Sequence, residues 1–514
     1  MRYLFDKINI EELLTFGGGV MFLIKNESFL NHEAEVMIVG LFEDQKQNQL
    51  HYVQLNENLN DYLDELVKSE EIKYTYGSIS KIHTFGKLNV KRLYFVGLGK
   101  KDELTVSKFR KAIGKVFKQV SKDQFEKASL VLESVVVNEP FDDYYEALGE
   151  ALSLATYQLE TYHTNRKEKK VLTEVTLLTD KDESLLESVK VGVALGNGAN
   201  IARHLVNLPG NFLTASDLAT FAENIAEKHQ LEIEVYDKKG IEQIGMGALL
   251  AVNQGSDEPP RFIVMKYQGK DKWENPIALV GKGITFDTGG YSLKPREGMV
   301  EMKMDMGGAA AVIGAMDIIG ELRPKENVIA LIPSTDNMIS GKAFKPDDVI
   351  VSLSGKTIEV RNTDAEGRLA LADAVTYARQ QGASKIIDVA TLTGGVIVAL
   401  GEWVTGAMTN DEEWYNRVKE ASEAVDEPIW LLPYYDVYKE KVRKSDIADL
   451  NNSPGRSAHP IMAGAFVGEF AEDTPWVHLD IAGTALSSSE HELGPKGPTG
   501  VMARTLAKAV LNNN

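Results

Sequence analysis

The chain contains no cysteine, which excludes a disulfide framework, a thiolate nucleophile and any cysteine metal site. Nowhere does an apolar run approach the roughly 18 residues that a membrane-spanning helix needs, so no span is expected. The nine histidines include no H-E-x-x-H pair, which removes a zinc site of the thermolysin kind, and His459 and His478 are expected to be structural. No serine stands in a G-x-S-x-G elbow, and Gly97-Leu98-Gly99-Lys100 and Gly281-Lys282-Gly283 have the spacing of neither a P-loop nor a dinucleotide fingerprint. The opening MRYLFDKINIEELL places Asp6, Glu11 and Glu12 where an export signal needs a basic start and an apolar run, so a cytoplasmic location is expected. A formal net charge of −19 argues against a surface that grips nucleic acid or anionic lipid over its whole extent.

What is present is an ordinary globular composition, 43% hydrophobic and 25% charged, over 514 residues. That length exceeds what a single core organises. The fold class expected is α/β, with a smaller N-terminal α/β domain over 1–165, a linker or connecting helix over 166–190, and a larger domain over 191–514 with a mixed, mostly parallel sheet flanked by helices. In the first domain, apolar runs at 36–41 and 92–98 read as strands. The stretch 105–120 reads as a helix: Val106, Phe109, Ile113, Phe117 and Val120 recur at helical spacing, opposite Lys108, Arg110, Lys111, Lys115 and Lys118. Between Lys81 and Lys122 there are 12 Lys or Arg against 2 acids. That stretch is either a solvated helix face or a local nucleic-acid patch, and the lack of interleaved aromatics favours the former. The polar segment 165–170 reads as the end of this domain.

Beyond it, strand, loop and helix alternate: a strand at 277–280, a Gly-rich loop, a helix at 308–322, a strand at 328–332, a hairpin of 349–353 and 357–360 around Ser354-Gly355, a helix at 367–381 and a strand at 385–390. Three polar clusters lie where strands give way to loops or helices, the end of such sheets at which ligands bind. They are Lys282 to Gly290 with Lys294 just beyond, Lys303-Met304-Asp305, and Asn362-Thr363-Asp364-Ala365-Glu366-Gly367-Arg368. Asp305 and Asp364 each precede a helical run, so both have helix capping as an alternative role, and Glu366 has the helix dipole. Against that stands their combination. Asp287, Asp305, Asp364 and Glu366 are four acids that repel one another unless cations sit between them, and hard oxygen ligands of this kind suit Mn²⁺, Mg²⁺ or Zn²⁺.

The segment 362–369, NTDAEGRL, resembles the signature of the leucine aminopeptidases, the cytosol aminopeptidase family. GKGITFDTGG, SLKP, MKMDMGGAAAV, ATLTGG, WVHLDIAGTA and GPTGVMARTL follow in register, so the resemblance spans roughly 195–510, with a weaker RHLVNLPGN at 203–211 and a loose match over the N-terminal domain. The resemblance implies hydrolysis of the N-terminal peptide bond of peptides with a free N-terminus, releasing leucine and other unblocked residues. It implies two divalent metals, Mn²⁺ or Zn²⁺, bound by Lys282, Asp287, Asp305, Asp364 and Glu366, with Asp287 and Glu366 bridging. It further implies Lys294 and Arg368 as the catalytic pair, with bicarbonate at Arg368 as general base. Asn362, Met302 and the backbone of 391–394 would border the site, and the assembly would be a homohexamer. Some bacterial relatives also act at DNA, which leaves a DNA-binding role of the N-terminal domain, or a different two-metal hydrolysis on the same scaffold, as alternatives.

Overall fold

The computed structural model describes residues 20–45, 48–165 and 169–512. The acidic stretch 1–14, and 166–168 of the polar segment, lie outside them. The chain divides into two compact units, one of residues up to Asn200 together with 489–495, the other of 201–488 together with 496 onward. No helix among the described residues is long and apolar enough to cross a membrane.

The first unit is built on a six-stranded sheet in the order Met21–Lys25, Glu174–Leu178, Lys127–Val131, Ala34–Phe42, Val90–Gly99, Ile79–His83, parallel except for the last strand. Alternation along Ala34–Phe42 sends Val36 and Ile38 into one apolar cluster and Met37, Val39 and Leu41 into another on the opposite face. Thr105 caps the helix Val106–Lys122, its hydroxyl accepting from the Lys108 amide at 3.2 Å. The helix buries Phe109, Ile113, Val116, Phe117 and Val120, as the spacing requires. The strand Glu174–Leu178 lies within the span read from sequence as a linker or connecting helix. It is instead a member of this sheet, and the helix Leu185–Asn207 begins only after it.

The second unit carries a nine-stranded sheet. Its centre is four parallel strands in the order Trp476–Asp480, Lys385–Ala390, Ile277–Gly281, Asn327–Asn337; on one side Arg261–Gln268 and then Glu232–Tyr236 each pair antiparallel to the strand before, and on the other Thr405–Thr409 pairs antiparallel and Ile429–Leu431 parallel to it. Helices Gly307–Leu322 and Gly367–Gln380 pack on the sheet, and the first is buried almost throughout. The expected hairpin forms from Val349–Val351 and Thr357–Glu359, with Gly355 in the left-handed region at its turn. One expectation is corrected: residues after Lys282 are not loop. Gly283–Asp287 is a strand, paired in parallel with the far half of Asn327–Asn337. That half was also left out of the expected strand. The chain therefore steps aside at Lys282 and resumes pairing, which carries Asp287 beyond the end of Ile277–Gly281.

Candidate metal centre

Lys282, Asp287, Asn337, Thr391 and Asp480 all stand at or just beyond the carboxyl ends of parallel strands, so the sheet gathers them on one edge. Asp305 arrives on the turn before helix Gly307–Leu322, and Asp364, Glu366 and Arg368 on the turn into helix Gly367–Gln380. Neither helix is capped by a side chain of these acids. The N-cap of the first is Met306 and that of the second is Glu366 in helical conformation, and neither makes a side-chain cap bond.

The acids turn instead to two lysines. Lys282 Nζ lies 2.8 Å from Asp305 Oδ2 and 3.0 Å from Glu366 Oε1, and donates to Asp305 Oδ1 at 2.9 Å and to the Thr391 carbonyl at 3.1 Å. Lys294 Nζ lies 2.8 Å from Asp287 Oδ2 and 2.5 Å from Asp364 Oδ1. Asp287, Asp364 and Glu366 each offer a carboxylate oxygen within 4.8 Å of the others. Asp305 joins this group through Lys282. The five residues expected as metal ligands, and Lys294, thus form one network. Gly367 makes room for it, because a Cβ there would sit 2.2 Å from Lys282 Cε, and Gly289 turns at φ +84° where a Cβ would press within 2.9 Å of Asp364 Oδ1.

Four carboxylates are faced at contact distance by only two ammoniums, and the electrostatics carry the strain. Burial, then Glu366, raises the Asp287 carboxyl above its usual range, and burial raises Asp305 well above its own. Burial with Asp287 and Glu366 pushes Asp364 up to about 6. Burial acts the same way on Glu366, but Lys282 and Lys294 together outweigh it and hold this carboxyl below the usual range. Both lysines are raised: burial presses them down, and the surrounding carboxylates more than compensate.

Glu366 Oε2, fully buried, has no hydrogen-bond partner. A carboxylate oxygen left so in a dry site costs on the order of 1–3 kcal/mol, and a cation removes that cost. Oxygen donors with one amine, in excess over their counter-ions, fit two divalent ions. Arg368 is 1% exposed. Its Nη1 donates to the Asn452 carbonyl at 2.7 Å, its Nε has no partner, and among the described residues no carboxylate lies within ion-pair distance of it. Burial lowers its pKa to about 10. A buried cation with an unused N–H fits a small anion.

Ligand uptake by such a centre is linked to pH. For Asp364, Asp287 and Asp305 the folded-state pKa lies above the unfolded value, so their contribution to stability is present at low pH and lost as pH rises through the folded value, from about 4 toward 6 for Asp364. A metal ion that replaces those protons reverses the loss. The gain in Tm produced by Mn²⁺ over a chelator control is therefore expected to be larger at about pH 7 than at about pH 5. An equal or smaller gain at the higher pH contradicts this.

Three participants were not visible in the sequence. Asn337 donates to Asp287 Oδ1 at 2.8 Å and to the Thr363 carbonyl at 3.0 Å, tying two acid-bearing segments together. Asp480 anchors the loop after Lys385–Ala390. Asn452 Oδ1 accepts the amides of Arg361 and Asn362 at 2.8 and 3.2 Å. Their signal, a polar side chain closing an apolar strand or a short loop, is too common to single out. His478 pairs with Asp388 at 2.6 Å in the buried sheet. His459 opens the helix His459–Ala471, where burial and the nearby Arg368 lower its pKa to about 4.

Residues 200–507 match the model of the catalytic domain of the cytosol aminopeptidase family, and residues 38–166 match that of the family's N-terminal domain. Among solved structures, a mutant of tomato leucine aminopeptidase is similar with a TM-score of 0.86 and 30% identity, over 96% of this chain and 97% of that one. The bottromycin maturation enzyme BotP is similar with a TM-score of 0.80 and 29% identity, over 93% of this chain and 99% of that one. In complex with Mn, the same enzyme gives a TM-score of 0.81 at the same identity and coverage.

Proposed function

The chain belongs to the cytosol aminopeptidase family and is a metallo-aminopeptidase that hydrolyses peptides at the N-terminus, and from this premise we propose how its own residues do so. Lys282, Asp287, Asp305, Asp364 and Glu366 would hold two divalent ions, Mn²⁺ or Zn²⁺. The observation that carries this reading is that four acids from three segments converge without capping any helix, one of them with a buried oxygen that nothing satisfies. When bound, the ions supply acidity to the attacking water and a seat for the substrate's free α-amine, and bicarbonate at Arg368 supplies a general base.

The remaining work falls to side chains. Lys294 is the more open of the two lysines, its side chain 16% exposed against 3% for Lys282, so it is the ammonium that a peptide carbonyl can reach. It stabilises the oxyanion that forms on that carbonyl. Asp287 and Asp364 hold its Nζ in place and keep it charged. Lys282, enclosed by Asp305, Glu366 and the Thr391 carbonyl, is shielded from water and from substrate. Arg368 keeps its charge behind the ligand cluster, where its unused Nε–H orients an anion.

We place the activity in peptide turnover in the cytoplasm, with leucine and other unblocked residues released, by a homohexamer. Exposed Trp403, Trp430 and Tyr435 supply apolar surface that an assembly would cover. The DNA-binding alternative draws little support from the N-terminal unit. Lys81 pairs with Asp123, Lys91 with Glu35, Lys100 with Glu103, Arg110 with Glu150, and Lys118 and Lys122 with Glu490, so much of the basic stretch is already neutralised.

The deciding experiment strips the protein of metal, refills it with Mn²⁺, Zn²⁺, Co²⁺ or Mg²⁺, and assays a panel of aminoacyl amides, with mass by light scattering on the same preparation. Leucyl amide is expected to be cleaved by the refilled protein, and neither the stripped protein nor an N-blocked substrate is expected to give turnover. Activity that survives chelation sinks the metal reading.

A further inference from the structure

The loop that follows strand Lys385–Ala390 touches the ligand cluster at Lys282 and Asp305, and every polar atom of Thr391 beyond its amide is turned to that cluster. The Thr391 carbonyl accepts from Lys282 Nζ at 3.1 Å, and its hydroxyl donates to Asp305 Oδ1 at 2.9 Å. Thr391 is 4% exposed, so water does not compete for either bond.

The loop cannot drift, because Asp480 clamps it. Asp480 Oδ1 accepts the amides of Leu392 at 3.1 Å, Thr393 at 3.4 Å and Ala482 at 3.2 Å, and its Oδ2 accepts the Thr393 hydroxyl at 2.6 Å. That hydroxyl in turn accepts from the Val396 amide at 3.1 Å and caps the helix Gly394–Leu400. Thr391 is therefore held from behind by a buried carboxylate whose donors all come from the protein backbone or Thr393.

The consequence for Asp305 is specific. Its Oδ1 receives two donors, Lys282 Nζ and the Thr391 hydroxyl. Its Oδ2, although 2.8 Å from Lys282 Nζ, makes no hydrogen bond of acceptable geometry. One carboxylate oxygen is occupied and the other is left to a cation. The carbonyl, at the same time, takes one N–H of Lys282 and so fixes the rotation of its amine.

We propose that Thr391 is a positioning residue for one half of the metal centre, selecting the oxygen of Asp305 and the orientation of Lys282 that face an ion, with Asp480 as its anchor. The inference rests on the dinuclear reading above and adds to it a residue that touches neither metal nor substrate through its side chain. It predicts an unequal effect. Loss of the hydroxyl weakens the ion served by Lys282 and Asp305 and spares the one served by Asp287 and Asp364.

The test compares full-length wild type, Thr391→Val and Thr391→Ser. Mn²⁺ binding is measured by competition with a chromogenic chelator, the metal-free Tm is recorded, and activity is titrated against Mn²⁺. Valine keeps the shape and removes only the hydroxyl. In Thr391→Val one of two Mn²⁺ affinities is expected to fall about 10- to 100-fold, the usual cost of losing an outer partner of a ligand. Half-activation should shift to correspondingly higher Mn²⁺, kcat at saturating Mn²⁺ should recover toward wild type, and the metal-free Tm should stay within a few degrees. Thr391→Ser should bind both ions to within roughly threefold of wild type. Wild-type affinities for both ions in Thr391→Val overturn the inference, as does a Thr391→Ser variant as weak as the valine. A wild-type protein that takes up no Mn²⁺ overturns the dinuclear reading, and this inference with it.

Discussion

Asp364→Ala is expected to lower kcat/KM on leucyl amide by at least about 10³-fold, more than loss of a single oxyanion donor costs, while the protein stays folded. The carboxylate does two things at once in the site. It stands within 4.8 Å of the carboxylates of Asp287 and Glu366, and it holds Lys294 Nζ at 2.5 Å. On the proposed reading its removal takes away one of the groups that would hold a metal and releases the cation assigned to the oxyanion. The stability effect has the opposite sign from what a cap would give. Asp364 makes no cap bond to helix Gly367–Gln380, and burial with Asp287 and Glu366 raises its pKa to about 6, which disfavours its charge in the metal-free protein. The metal-free Tm of the variant is therefore expected to match or exceed that of wild type. A capping role predicts the reverse pair of results, a loss of about 1 kcal/mol with activity retained. Initial rates at saturating Mn²⁺ and thermal melts in chelator separate the two.

That contrast also shows what was legible in the sequence and what was not. The four acids and two lysines stood out because they interrupt apolar segments. Their roles did not, because Asp305 and Asp364 precede helices in the way caps do. Only tertiary structure brings these residues together: Lys282 and Asp305 are 23 positions apart, and Lys282 and Thr391 are 109 apart, separations over which no local pattern carries information. The strand Gly283–Asp287 was misread for a related reason. Its partner is the stretch Ser334–Asn337, polar throughout and ending in Asn337, which donates to Asp287, so neither strand shows the apolar run by which buried parallel strands are recognised.

Where function did not interfere, periodicity sufficed. The helix Val106–Lys122 buries four of the five residues its spacing marks, Val106 being half-buried, and strand Lys385–Ala390 falls on the expected residues. Even there, one cation was misplaced. Arg110 belongs to the basic side by composition yet is buried against Glu150 at 2.5 Å, because a neighbouring helix, Phe141–Ala155, supplies the carboxylate that makes burial tolerable.

Arg368→Met is expected to reduce kcat by about 10²- to 10³-fold, within the range that a general base contributes, with two Mn²⁺ still bound per chain. Arg368 makes no contact with the four ligand carboxylates at ion-pair distance, and its one hydrogen bond, to the Asn452 carbonyl at 2.7 Å, leaves Nε unused. Nothing in this geometry makes it a ligand holder. Its burial without a carboxylate partner lowers its pKa to about 10, a cost to the fold that the proposed anion would offset. Methionine fills much of the same volume without the charge, so the metal-free Tm is expected to stay level or rise. Arg368→Lys retains a charge but not the planar fork that grips a carboxylate-like anion, and falls between the two. In bicarbonate-depleted buffer, added bicarbonate should raise the wild-type rate and leave Arg368→Met unchanged. If the methionine variant responds to bicarbonate as wild type does, the base is held elsewhere, and Arg368 is left with no part in the chemistry.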